Sequence, residues 1–148
     1  MKIKALLFFA LTLLYVSCKD DDDYCGSSYL EYTTLEAEYG CENSLFDMQV
    51  DWEGIENNYI LITNQSDFEE KVSSTCLPEI DFENYDLILI LTGTSNLDSY
   101  NYYVVKTCQN TISIAIDIEG SGSNHVITVF NILIPKLNGQ TIEKIEFL

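Results

Sequence analysis

The second half of the chain spaces its apolar residues with the period of strands, while the first half does so only in patches. Leu87-Ile88-Leu89-Ile90-Leu91 is an unbroken apolar run, which predicts a central strand covered on both faces. Tyr100 to Thr107 and Thr111 to Glu119 flank a short turn at Cys108-Gln109-Asn110. In the second of these segments Ile112, Ile114, Ile116 and Ile118 share one face, and Ser113, Ala115, Asp117 and Glu119 share the other. That alternation predicts a strand packed on one side and wet on the other. Gly120 to Asn124 (GSGSN) reads as a flexible loop, and His125 to Ile134 as a further strand stopped at Pro135. Asn138-Gly139 is a favoured pair for a two-residue hairpin turn, leading into a last strand over Thr141 to Phe147.

Upstream the signal is weaker. Tyr24 to Asn58 alternates only at Tyr29 to Tyr32 and Leu45 to Val50, which predicts two short or irregular strands. Tyr59 to Thr63 is a better strand. Ser66-Asp67-Phe68-Glu69 has the capping-box pattern, with Ser66 and Glu69 each satisfying the other's free amide. A short helix follows to about Ser73, with Phe68 and Val72 on its buried side. No long repeat and no linker divides the chain. The expected fold is mostly β (α+β minor): a single antiparallel β-sandwich or open-barrel-like domain over 25–148, with one short helix near 66–73.

The N-terminus has a different character. Lys2 and Lys4 precede the apolar stretch Ala5 to Val16, the layout of a secretory signal. The stretch is too short to span a bilayer, which takes roughly 20 residues. It ends at Ser17-Cys18, which resembles the lipobox of bacterial lipoproteins. The resemblance implies a signal peptide over 1–17 and a mature chain that begins with an acylated Cys18, anchored in the outer membrane. Lys19-Asp20-Asp21-Asp22-Asp23 follows. Like charges in a row form a solvated tether, here over 18–24, that buries nothing. The run also resembles the lysine-plus-acidic surface-export signal of Bacteroidota lipoproteins, which implies a domain facing the cell exterior. Four consecutive aspartates lack the alternating spacing and turn glycine of a calcium loop.

The whole chain has a formal net charge of −17, with 24 acidic residues against seven basic ones. Nucleic acid is excluded as a partner, because phosphate binding needs clustered Lys and Arg. Beyond Cys18 there are four cysteines, Cys25, Cys41, Cys76 and Cys108. An even number in an exported chain points to disulfides, and four cysteines allow three pairings. Zinc would need close ligand pairs, and the nearest spacing here is sixteen residues, Cys25 to Cys41. If the strands at Leu87 to Leu91 and Tyr100 to Thr107 form an antiparallel pair, Cys76 and Cys108 fall at one end of the domain. That expectation pairs Cys76 with Cys108 and Cys25 with Cys41.

No constellation amounts to an active site. His125 is the only histidine, and no serine or free thiol beside it makes a nucleophile–base pair. Asp117 and Glu119 share a strand face, but that face is the solvent side of an amphipathic strand rather than a glycosidase carboxylate pair. Asp81 suits backbone donors at the start of a strand. Tyrosine is the compositional oddity, with ten residues. Tyr100 and Tyr102 share a face, and exposed they would offer a glycan- or protein-binding platform.

Tyr39-Gly40-Cys41-Glu42-Asn43, Tyr59 to Phe68, Ile80-Asp81-Phe82-Glu83-Asn84-Tyr85-Asp86-Leu87 and Val129 to Leu137 carry a further resemblance. These stretches are similar to small Bacteroidota surface lipoproteins, distantly related to the C-terminal domain found in protease-complex proteins of the PrcB type. The resemblance implies a small β-rich domain that accompanies or stabilises other surface proteins, and it brings no catalytic residues or cofactor. The expected function is non-catalytic: binding a protein partner at the cell surface, with the membrane reached through the Cys18 anchor. A glycan-binding accessory module is the alternative.

Overall fold

Two long strands carry the fold, and they double back on themselves. The computed structural model describes residues 26–107 and 109–148, with the backbone alone for 122–125. In chain order the elements are β1 (Ser28–Tyr29), α1 (Leu35–Tyr39), α2 (Ser44–Asp47), β2 (Gln49–Val50), β3 (Tyr59–Ile62), α3 (Gln65–Lys71), β4 (Val72–Ser73), β5 (Tyr85–Lys106), β6 (Thr111–Pro135) and β7 (Thr141–Phe147). β5 and β6 pair antiparallel along nearly their whole length, from Tyr85 opposite Pro135 to Lys106 opposite Ile112. β3 and β1 pair with β5, and β7 pairs with β6. The sheet is open, so the fold is β-rich without being a closed barrel. A second, two-stranded sheet joins β2 to β4.

A straight β5 would hold Ile90 and Tyr102 roughly 40 Å apart, at about 3.3 Å per residue. Phe130 lies opposite Ile90, yet its ring sits 5.4 Å from that of Tyr100 and 6.0 Å from that of Tyr102. The hairpin therefore folds over, and its two halves face each other across one core. Ile88, Ile90, Phe130, Ile132 and Ile134 come from one half, and Tyr102, Val104, Ile112, Ile114 and Ile116 from the other. Each such fully buried side chain contributes about 1.5–3 kcal/mol. The bend is made at Ser95 to Ser99 against Glu119 to His125, where the register shifts and β6 takes the longer path. GSGSN is thus not a loop between two strands: it lies inside β6, as the slack a folded hairpin needs.

The other face of the first half is covered by the N-terminal segment. Leu35, Cys41, Met48, Ile62, Phe68, Val72 and Ile80 pack there against Leu87, Leu89, Val129 and Leu133. Leu87, Ile88, Leu89 and Ile90 are all fully buried, as the unbroken apolar run predicts. Asn131, buried in mid-strand, brackets this cover: its Oδ1 accepts from Leu35 N at 2.9 Å and its Nδ2 donates to Ser44 Oγ at 3.1 Å. The start of α1 and the start of α2 are thereby fixed to β6.

Several local expectations change. Residues 45–47 are helical rather than strand, and α1 is a further helix, so among the described residues three short helices replace the expected one. α3 starts earlier than Ser66. Asn64 is the cap: its side-chain Oδ1 accepts from Asp67 N at 2.9 Å while its side-chain Nδ2 donates to Asp67 Oδ2 at 2.8 Å. The cap that Ser66 and Glu69 suggested thus forms two residues upstream, with a side-chain pair in place of the return bond to the cap's backbone. Asn138 and Gly139 adopt the positive φ values of a two-residue turn, 46° and 89°, but no hairpin follows. Thr33 forms a bridge with Leu133, occupying that side of the second half of β6. β7 instead runs parallel to the first half, Thr111 to Ile116.

Candidate functional site

Three separate stretches of the chain meet in one open groove of about 640 Å³, lined by Tyr39, Thr63, Asn64, Gln65, Glu79, Ile80, Asp81, Phe82 and Glu83. Tyr39 ends α1, where Gly40 takes the left-handed cap conformation (φ 70°), a backbone setting natural to glycine. That turn drops Cys41 into the core. Asn64 and Gln65 begin α3. The 79–83 segment crosses in front of both and is held by the side chains of Gln65 and Tyr39. Gln65 Oε1 accepts from Ile80 N at 3.1 Å, and its Nε2 donates to Pro78 O at 3.1 Å. Tyr39 Oη accepts from Asp81 N at 3.0 Å.

Ile80 is the buried floor of the groove. The rings of Tyr39 and Phe82 are half-buried walls, and Glu79, Asp81 and Glu83 stand exposed at the rim. Asp81 turns its carboxylate back on its own loop, with Oδ2 accepting from Asn84 Nδ2 at 2.8 Å and Oδ1 from Glu83 N at 3.2 Å. The Asn84 amide holds this carboxyl below the usual carboxylate range against the opposing effect of desolvation. A cation adjoins the groove: Lys136 Nζ lies 2.7 Å from Asp86 Oδ1, donates to Thr63 O at 3.0 Å and stands 6.0 Å from the centre of the Phe82 ring. The result is an open, amphipathic concavity. Among the described residues no three His, Cys, Asp or Glu side chains converge to hold a metal.

The structure separates the residues singled out in the sequence. Cys18, Lys19, Asp20, Asp21, Asp22 and Asp23 lie outside the described residues, as do Cys25 and Cys108. Cys41 is bonded to Cys76, which overturns both expected pairings, Cys76 with Cys108 and Cys25 with Cys41. The reason is the strand direction: Leu87 to Leu91 and Tyr100 to Lys106 are successive parts of β5, not antiparallel partners. Tyr102 is 6% exposed and packs edge-on against Tyr32, Tyr100 and Phe130. Its hydroxyl donates to Asn131 O at 3.4 Å, and burial pushes the phenol's pKa up. Tyr100 is half-buried on the same core, with its pKa also raised, first by burial and then by Glu36. The Tyr100/Tyr102 platform is therefore core packing, and the outward residue of the cluster is Tyr103. Glu119 is exposed and accepts from Ser99 Oγ at 2.9 Å, while His125 contributes its backbone to β6 opposite Ser95.

Gln65, Tyr39 and Phe82 are the groove residues that no chemical motif announces. They come from three separate stretches of the chain, and nothing in their local sequence pattern brings them together. No family model matches the chain, and no curated protein or solved structure matches it. Among the described residues, no helix is long and apolar enough to cross a membrane.

Proposed function

We propose that this is the folded module of a surface lipoprotein, tethered through Cys18, which docks a protein partner in the groove between α1, α3 and the 79–83 segment. The observation that carries the reading is the convergence of Tyr39, Gln65 and Phe82 on one preformed concavity, where the Ile80 and Asp81 amides are already satisfied. A rigid surface loses little conformational entropy when a partner binds, and aromatic walls over an apolar floor suit the buried centre of an interface. The glycan-binding alternative needs Tyr100 and Tyr102, whose rings are spent in the core.

The anchor and the groove are tested separately. Cys18→Ser abolishes fatty-acid labelling and detergent partitioning; a variant that still labels refutes the anchor. A photo-crosslinking residue placed at Glu83, in the protein on intact cells, gives one discrete adduct. The same residue at Ser113, outside the groove, gives none, and Phe82→Ala weakens the Glu83 adduct. Equal crosslinking from both positions, or none from Glu83, overturns the docking site.

A further inference from the structure

We propose that the groove between α1, α3 and the 79–83 segment takes a cationic segment of its partner: one large apolar side chain seats on Ile80, and lysines or arginines on either side of it face Glu79, Asp81 and Glu83. The proposal rests on the docking reading above and adds the chemistry of what docks. The floor is buried and apolar, and the rings of Tyr39 and Phe82 stand over it. At about 640 Å³ the groove falls within the range of about 300–1,000 Å³ usual for ligand sites, enough for a large side chain and its neighbours. The wall also fixes how a partner is read. Ile80 N and Asp81 N already donate, to Gln65 Oε1 at 3.1 Å and to Tyr39 Oη at 3.0 Å, and Pro78 O accepts from Gln65 Nε2 at 3.1 Å. With those main-chain groups occupied, a partner cannot extend the wall as an added strand. It is recognised through its side chains.

The charge around the floor is of one sign. Among the lining residues three are carboxylates and none is a cation. Neither of the two ion pairs found among the described residues includes Glu79, Asp81 or Glu83. Lys136 adjoins the Phe82 ring, but the buried Asp86 carboxylate matches its charge at 2.7 Å. Asp81 is held in place by Asn84 Nδ2 and Glu83 N, and the Asn84 bond keeps its carboxyl below the ordinary value. This charge therefore persists at mildly acidic pH. An acidic segment would meet like charge here, whereas a basic one meets complementary charge, which speeds encounter and selects the partner.

Acidity alone does not single the groove out, because the whole chain is acidic. Two other concavities show the difference. One, of about 510 Å³, has Asp51, Glu69 and Glu70 in its lining, but it also contains Lys71 and no aromatic ring. A cation of the chain's own stands there among the carboxylates. The other lies between Tyr32 and Tyr85, measures about 160 Å³ and has no buried residue for a floor. Of these three, the 79–83 groove alone joins an apolar floor with aromatic walls to an acidic rim that carries no cation. The apolar contact supplies the buried centre of an interface, and the rim supplies the preference for positive charge.

The test places a photo-crosslinking residue at Thr63, an exposed groove position whose replacement leaves the rim charges intact, in the full-length protein on washed cells. Sequencing of the crosslinked peptide reads the bound segment directly. The expected adduct carries lysine or arginine on both sides of one large apolar residue. Its yield should fall about tenfold between about 0.05 M and 0.5 M NaCl, and by a similar factor in the Glu79→Gln/Glu83→Gln double variant, since each weakens the complementary field. Asp81 is left unchanged because its carboxylate holds its own loop. Glu79→Asp/Glu83→Asp, which keeps the charge, should retain the adduct, as should Glu69→Gln/Glu70→Gln on the second concavity. A crosslinked peptide without basic residues, a peptide from a second copy of this chain, or a yield that neither salt nor the Gln pair lowers overturns the cationic segment. So does equal loss in the Asp pair. Each of these outcomes leaves the docking groove standing, whereas no protein adduct from Thr63 overturns the docking reading itself and this proposal with it.

Discussion

Asp47 gathers three donors onto one oxygen: the Thr75 hydroxyl at 2.7 Å, the Thr75 amide at 2.6 Å and the Ser74 hydroxyl at 2.9 Å. Those bonds, the Thr75 hydroxyl foremost, hold its carboxyl below the ordinary value of 3.8. They also tie α2 to the residues just before Cys76. Because the folded pKa is depressed, the stabilisation is present above the unfolded value and is lost as pH falls through the folded one. Stability should therefore fall more steeply below about pH 4 in the native protein than in Asp47→Asn, as read by denaturant midpoints at each pH. Parallel profiles would mean that the carboxylate is not coupled to folding. Asn131 is a different case, since its amide is buried and its partners cannot turn to water. Asn131→Ala leaves the Leu35 amide unpaired next to the core and should lower stability by about 2 kcal/mol. A loss under about 0.5 kcal/mol would show that the bracket is dispensable. Neither residue stands out in the sequence. One is an ordinary acidic residue, the other a polar interruption in the apolar run Val129 to Ile134, and their partners lie 28 and 96 positions away.

Elements were legible wherever the pattern reports burial alone. Leu87 to Leu91 reads as doubly covered and Ile112 to Ile118 as one-faced because those patterns depend only on which side meets the core. Strand ends and directions were not legible, since a bulged strand and a loop draw on the same residues. Gly120 to Asn124 has loop composition, yet it stays in β6 because the partner strand bends beneath it. The Asn138-Gly139 turn likewise formed as its local chemistry dictates, while Thr33, a residue from the other end of the chain, already occupied the hairpin's place beside Leu133. The groove was not legible, because its three walls come from α1, α3 and the 79–83 segment, which only the fold brings together. The bend also makes a sharp prediction. A Cβ on Gly120 would lie 2.2 Å from Ser95 O and 2.8 Å from Asn96 O, whereas one on Gly93, just before the bend, meets nothing within 4 Å. Gly120→Ala should cost about 2 kcal/mol or more through overpacking against backbone, and Gly93→Ala less than about 0.5 kcal/mol. Equal effects in equilibrium unfolding would mean that the bend is not closed at Gly120.

At the scale of the molecule, charge and core oppose each other. The chain carries −17 with seven lysines and no arginine. Among the described residues there are two ion pairs, Lys136 with Asp86 and Lys144 with Glu146. The second is an exposed pair two residues apart on the edge strand β7, the kind that contributes little. The first involves a buried carboxylate that also accepts from Leu137 N at 2.9 Å, so salt reaches it poorly. With acidic residues so far in excess, most of the surface charge is of one sign, and that repulsion destabilises the compact state. The two-sided burial of β5 and β6 must outweigh it. Screening shortens from about 30 Å at 0.01 M ionic strength to about 3 Å at 1 M, which quenches surface repulsion while leaving the core intact. Raising NaCl across that range should therefore raise the thermal midpoint monotonically. Lys136→Met should lower the midpoint at every salt concentration by a similar amount, since it strands the buried Asp86 carboxylate. A midpoint that falls with salt would instead mean that attractive surface pairs, rather than the folded hairpin's core, hold this acidic domain together.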